Sequence, residues 1–139
     1  MTVQTEDLFG GAIAWFDPAV LNTHDQCLKP EWPVQPKPYL RPFLCYWRRP
    51  GVSAWLPLTS QYQPQRFPLL RGWIRNAFGI MQRKQSFIAD FRTCYRGEDP
   101  AFLAAAIREQ EITGPRPRLT EKALRRIQDE VRAAGGFIL

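Results

Sequence analysis

Two runs rich in aromatic and apolar residues, Tyr39 to Trp47 and Val52 to Leu58, stand on either side of Arg48-Arg49-Pro50-Gly51. Aromatic and β-branched side chains fit a pleated, half-buried surface, and Pro-Gly marks a turn, so this stretch predicts a β-hairpin. Both faces of the first run are apolar, with Phe43, Cys45 and Trp47 on one and Leu40, Leu44 and Tyr46 on the other. A strand of that kind belongs in the middle of a sheet or against a second subunit. Burying the surplus in a two-fold homodimer is one solution, since monomers rarely expose a large apolar patch.

Shorter signals surround the hairpin. Ala12 to Phe16 reads as a strand entered from Gly10-Gly11 and stopped by the turn signal Asp17-Pro18. Residues 20–38 read as a loop stiffened by Pro30, Pro33, Pro36 and Pro38, because proline has no N–H to give a central sheet. Gln61 to Gln65 is polar loop. Phe67 to Ile74 and Ile80 to Arg96 fit two further strands, and Phe87, Ala89 and Phe91 alternate with Ser86, Ile88, Asp90 and Arg92 in the second.

After Gly97 the pattern turns helical. Asp99 as N-cap and Pro100 at the first helical position open a helix over about 101–110. Gly114-Pro115-Arg116-Pro117 breaks it. Thr120 caps a second helix reaching about 134, with Leu119 and Leu124 placed as a hydrophobic staple. Leu124, Ile127, Val131 and Ala134 recur at helical spacing, and Gly135-Gly136 ends the run. Five strands followed by two helices predict a mainly β, α+β chain: one small barrel domain over 1–139 with C-terminal helical additions.

Composition narrows the partners. The chain has 19 Lys+Arg against 13 Asp+Glu, a net charge of +6, and most of its cations are arginine. That favours polyanions, because phosphate contacts release condensed counterions and guanidinium forks onto phosphate. A soluble basic protein with no nucleic-acid role fits the charge as well. Cys27, Cys45 and Cys94 form no CxxC pair and are odd in number, which points to reduced thiols rather than zinc or a disulfide framework. Glu6 and Asp7 precede the apolar run Leu8 to Phe16 where a signal peptide needs positive charge, and no run approaches the ~20 residues of a membrane span. A cytoplasmic location is expected.

The catalytic inventory is short. His24 is the single histidine, so chemistry requiring two histidines from one chain is excluded. The acidic residues are scattered, with no HExxH or DxD pattern, and no glycine-rich phosphate loop is present. No metal or cofactor is expected. An enzyme built from these residues must lean on arginine and hydroxyl groups.

Four short segments resemble the MazF/PemK toxin family in order and spacing. They are Gly11-Ala12-Ile13-Ala14-Trp15-Phe16-Asp17-Pro18, Leu40-Arg41-Pro42-Phe43-Leu44-Cys45, Leu56-Pro57-Leu58-Thr59-Ser60-Gln61 and Phe91-Arg92-Thr93. The last is similar to the end of the family's fifth strand, and Leu119 to Ala134 falls where the family places its last helix. Ala12 stands where an acidic residue is usual, Asp90 stands for the family's Gln, and 75–86 and 97–118 have no counterpart.

The resemblance implies an SH3-like, PemK-like barrel that cleaves single-stranded RNA without a metal, forms a homodimer and is held by a cognate antitoxin. Carried over, it makes Arg41 and Thr59 the catalytic pair, and Ser60, Gln61 and Arg92 of the matched segments are candidate RNA contacts beside them, while Arg48, Arg49 and Arg66 belong to a basic cluster between the motifs that reads as an RNA groove. The plain readings of these residues are a strand arginine beside proline, a strand-end turn residue and a solvated basic face. Trp47, Trp55, Tyr62 and Trp73 are stacking platforms if exposed and core if not. Two other functions remain open: a non-enzymatic barrel toxin acting on a protein such as DNA gyrase, and an inactive relative that only binds RNA or a partner.

Overall fold

The structure, a computed structural model, describes residues 3–35, 41–77, 79–106 and 114–136. Tyr39 and Leu40 of the expected hairpin strand, Pro36 and Pro38 of the loop and positions 107–110 of the expected helix lie outside these.

β1 (Ile13–Phe16) is formed as expected, but Asp17-Pro18 starts a helix instead of a turn. The Asp17 carboxylate accepts the Ala19 N–H at 2.9 Å, and Pro18, with its φ preset, occupies the first turn of α1 (Pro18–Thr23). The expected loop 20–38 is thereby shortened, and a two-residue strand, β2 (Cys27–Leu28), interrupts it again.

β3 (Arg41–Arg49) and β4 (Val52–Thr59) are the hairpin. Arg49 pairs with Val52, so the connection is Pro50-Gly51 alone and both arginines belong to the strand. Gly51 has φ of 80°, as the third position of a type II turn requires after proline. Cys45 pairs with Trp55 while Trp47 pairs with Ala54, so Tyr46 is the extra residue of a bulge. The bulge reverses the alternation: Trp47 joins the face of Leu44 and Tyr46, not that of Phe43 and Cys45.

Each of the two later strands is split. β5 (Phe67–Leu69) and β6 (Ile74–Arg75) are separated by a single 3-10 turn at Arg71–Trp73. β7 (Ser86–Ile88) pairs with Leu58 and Thr59, and β8 (Tyr95–Glu98) with Val52 to Trp55, so residues 89–94 loop out between them. Asp90 causes the interruption. Its carboxylate accepts the Arg92 N–H at 2.8 Å and its carbonyl accepts the Thr93 N–H at 3.1 Å, an Asx-type turn that competes with the ladder. Phe91-Arg92-Thr93 is therefore a turn and not the end of a strand.

α2 (Asp99–Ala105) begins one residue earlier than expected, with Glu98 at the N-cap position, and ends at Ala106. β9 (Arg118–Leu119) was not foreseen. It pairs with β6, and Arg118 also bridges Ala12. α3 (Glu121–Ala133) follows the sequence closely: Thr120 accepts the Ala123 N–H at 3.3 Å, and Gly135, at φ 77°, closes the helix as Gly136 N–H reaches the Val131 carbonyl at 2.9 Å. Its inner face is Ala123, Ile127 and Val131, while Ala134 is exposed.

The strands form an antiparallel sheet in the order β1-β3-β4-β7-β5, with β8 joining β4 to β2. It does not close into a barrel. Phe16, Phe43, Trp55, Tyr95 and Phe102 fill one side under α1 and α2. Ile13, Leu44, Tyr46, Leu56, Ile88, Ile127 and Val131 fill the other against α3. Phe43, Leu44, Cys45 and Tyr46 are all completely buried. The chain covers both faces of β3 by itself, and the apolar surplus that argued for a second subunit is absorbed within one chain. Among the described residues no helix is long and apolar enough to cross a membrane.

Burial has a titration consequence. Desolvation pushes the Cys45 thiol up to about 12, the Tyr95 phenol up to about 12 and the Cys27 thiol up to about 11, from ordinary values of 9.0 for Cys and 10.0 for Tyr. Tyr46 moves in the same direction for the same reason. Between the ordinary and the raised values the folded chain holds protons that the unfolded chain has lost, so stability falls as pH rises. The urea midpoint is expected to be constant below about pH 9 and to fall steadily toward pH 12. A midpoint unchanged at pH 11 would contradict this burial.

Candidate functional site

Arg41 opens β3 and Thr59 closes β4, and antiparallel pairing brings these two ends together. The register sets Phe43 against Pro57. Carried to the strand ends it places Arg41 opposite Thr59, with both half-buried. The arginine side chain lies across β4, its Nε donating to the Leu58 carbonyl at 3.2 Å. Thr59 Oγ1 accepts the Gln61 N–H at 3.2 Å, which ends the strand in a hydroxyl-capped turn. A hydroxyl that accepts in this way keeps its own hydrogen to donate.

Beyond Thr59 the chain forms a short exposed loop carrying Ser60 and Gln61. Arg66 closes it, Nη1 donating to the Gln61 carbonyl at 2.8 Å. Tyr62 is 72% exposed and meets Phe87 edge-on at 5.9 Å, while Phe87 is itself the strand partner of Thr59. Arg41, Thr59, Ser60, Gln61 and Arg66, all singled out in the sequence, thus share one end of the sheet.

Three other predicted contacts do not join them. Arg48 and Arg49 lie at the opposite end of the nine-residue β3, roughly 25 Å away at about 3.3 Å per residue. Arg48 forks onto Asp99 of α2, Nη1 to Oδ1 at 2.6 Å and Nη2 to Oδ2 at 3.2 Å, with both side chains mostly buried. It ties the hairpin tip to α2, so its work is structural. The Arg49 guanidinium sits over the Trp47 ring at 5.6 Å. Arg92 is exposed in the 89–94 turn and ion-paired with Asp90 at 3.3 Å.

Of the four proposed stacking aromatics, Trp55 is wholly buried, Trp47 and Trp73 are half-buried, and Tyr62 alone is exposed. His24 accepts the Gln26 N–H through Nδ1 at 3.1 Å and lies 3.3 Å from Asp25, a local arrangement.

The sequence reading missed a network that anchors the proline-rich loop. Tyr95 Oη accepts the Val34 N–H at 2.8 Å and donates to Asn22 Oδ1 at 2.7 Å, and Asn22 Nδ2 donates to the Val34 carbonyl at 2.8 Å. Arg41 is close enough to this hydroxyl to stabilise its ionised form, against the larger effect of burial. The second miss is Trp32, which is 79% exposed in that loop. An aromatic within a proline-rich segment was the available signal. Among the described residues no group of three His, Cys, Asp or Glu side chains is placed to hold a metal ion.

Chemically, this end of the sheet offers a guanidinium, a donor hydroxyl and an exposed ring beside a polar loop. Those groups suit a phosphodiester and its bases. No protein-family model, no curated protein and no solved structure matches this chain.

Proposed function

We propose that the chain is a toxin-type endoribonuclease of the cytoplasm that cleaves single-stranded RNA without a metal. What carries this reading is the register of β3 and β4, which, extended from the Phe43–Pro57 pair, sets Arg41 opposite Thr59, with the Arg41 Nε on the neighbouring Leu58 carbonyl. The antiparallel sheet is then an open form of the SH3-like barrel implied by the resemblance.

In the reaction the 2′-oxygen attacks phosphorus and the bond to the 5′-oxygen breaks. The 2′-hydroxyl proton leaves to solvent and solvent returns one to the 5′-oxygen, giving a 2′,3′-cyclic phosphate and a 5′-hydroxyl. Arg41 neutralises the charge that grows on the non-bridging oxygens, and the Thr59 hydroxyl donates to one of them. Ser60, Gln61 and Arg66 hold the adjoining backbone, and Tyr62 offers a ring to a base. An antitoxin covering this end of the sheet and a homodimer joining two such ends belong to the same reading. Neither rests on β3, whose faces are both filled.

Purified protein is expected to cut single-stranded RNA in excess EDTA and to leave cyclic-phosphate ends. Activity that appears only on adding a divalent cation would refute the mechanism. A protein that binds RNA without cutting it would favour the inactive relative.

A further inference from the structure

Trp32 is more exposed than any other large apolar residue described, at 79%. Its loop is nevertheless held, because Val34 is tied through both backbone groups to Tyr95 and Asn22. An indole held bare on an anchored loop offers a preplaced apolar face on which a planar ligand can stack. The ring lines a cleft of about 140 Å³ with Pro30, Glu31, Asp90, Arg92 and Thr93.

The polar groups of the cleft choose among ligands. Two carboxylates outnumber the single guanidinium, so a phosphate is disfavoured there. A neutral planar group with both donors and acceptors fits better. Asp90 engages Arg92 side-on, Oδ1 with Nε at 3.3 Å and Oδ2 with Nη2 at 3.4 Å. That leaves the outer edge of the guanidinium, Nη1 with the second hydrogen of Nη2, as a forked donor. A forked arginine matches the O6 and N7 acceptors of guanine, whereas adenine offers a donor in place of O6. Glu31 and Thr93 can accept from a base N–H.

We propose that this cleft is a base subsite, in which an unpaired guanine of the RNA stacks on Trp32 and is read by Arg92. The inference rests on the ribonuclease reading and adds a preferred base to it. Phosphates stay with Arg41 and Arg66, while one base of the same strand enters the cleft.

The test uses the full chain and short 2′-O-methyl oligoribonucleotides, which bind but lack the attacking hydroxyl. In a uridine background, a single guanine is expected to tighten binding about tenfold over a single adenine, in keeping with one bidentate base contact. Trp32→Ala should weaken the guanine oligomer by about tenfold or more, and Trp32→Phe should recover most of it. Arg92→Lys, which keeps the charge but loses the fork, should remove the preference for guanine over adenine. Because Trp32 and Arg92 are exposed, native circular dichroism is expected in all three variants. Wild-type protein that cleaves RNA in EDTA, with Trp32→Ala changing neither affinity nor base preference, overturns the subsite and leaves the nuclease standing. Loss of a basic peptide's binding on Trp32→Ala, with RNA affinity unchanged, also overturns it. Wild-type protein that neither binds nor cuts RNA sinks the nuclease reading itself.

Discussion

Arg41→Ala should lower the rate of single-stranded RNA cleavage by about a hundredfold to a thousandfold, the usual cost of removing a donor aimed at developing charge. The guanidinium is placed by its backbone at the start of β3 and by its Nε contact with the Leu58 carbonyl. Alanine removes the charge and both possible prongs, whereas lysine keeps the charge alone. Arg41→Lys is therefore expected to fall between wild type and alanine. Cleavage measured under single-turnover conditions, beside far-UV circular dichroism, separates chemistry from folding. Thr59→Ala loses one neutral donor and should cost less than Arg41→Ala. Full activity in Arg41→Ala would remove the residue from the mechanism and leave the cross-strand pair without a role.

The largest effect on stability is expected at Trp55, not at the site. Its ring is completely buried, edge-on to Phe16 at 4.8 Å and tilted against Phe102 at 5.6 Å. It is where the sheet meets α2. Its indole N–H donates to the buried Ser53 hydroxyl at 2.8 Å. Trp55→Ala should cost about 3–5 kcal/mol through lost burial and the cavity left behind. Against a total stability of roughly 5–15 kcal/mol, that leaves the fold marginal. Trp55→Phe keeps most of the ring and loses mainly the hydrogen bond, so about 1–2 kcal/mol is expected. Urea unfolding of the three proteins would order them, and equal midpoints would contradict the burial. The same residue was open to reading as a base-stacking platform, and the two roles are incompatible at zero exposure.

Comparison of the two tryptophans shows where residue type stops being informative. Trp55 and Trp32 both stand in segments rich in apolar residues or proline, yet one is wholly buried and the other 79% exposed. Composition cannot separate them, because burial depends on which segments return to cover a face. Trp55 is covered by α2, whose docking brings Phe102 onto it. Trp32 stays bare although its loop is tied down two residues away, at Val34.

What local sequence determined is what neighbouring residues decide among themselves. The hairpin with its Pro50-Gly51 turn, the Thr120 cap and the glycine close of α3 each follow from backbone preferences within a few residues. Asp17-Pro18 was equally local, and reading it as a turn overlooked the cap geometry that Asp99-Pro100 shares in part. Register was beyond such signals. The Tyr46 bulge moved Trp47 to the other face, and the Asp90 turn replaced a continuous strand with β7, a loop and β8. A single inserted or looped-out residue inverts a period-two pattern, and its cost is repaid by contacts far along the chain. Tertiary structure alone decided the fate of the arginines. Arg41 reached the Leu58 carbonyl, Arg48 was taken by Asp99 of α2, and Arg92 came to line a cleft with Trp32, because such contacts form between surfaces that only the finished sheet and helices bring together.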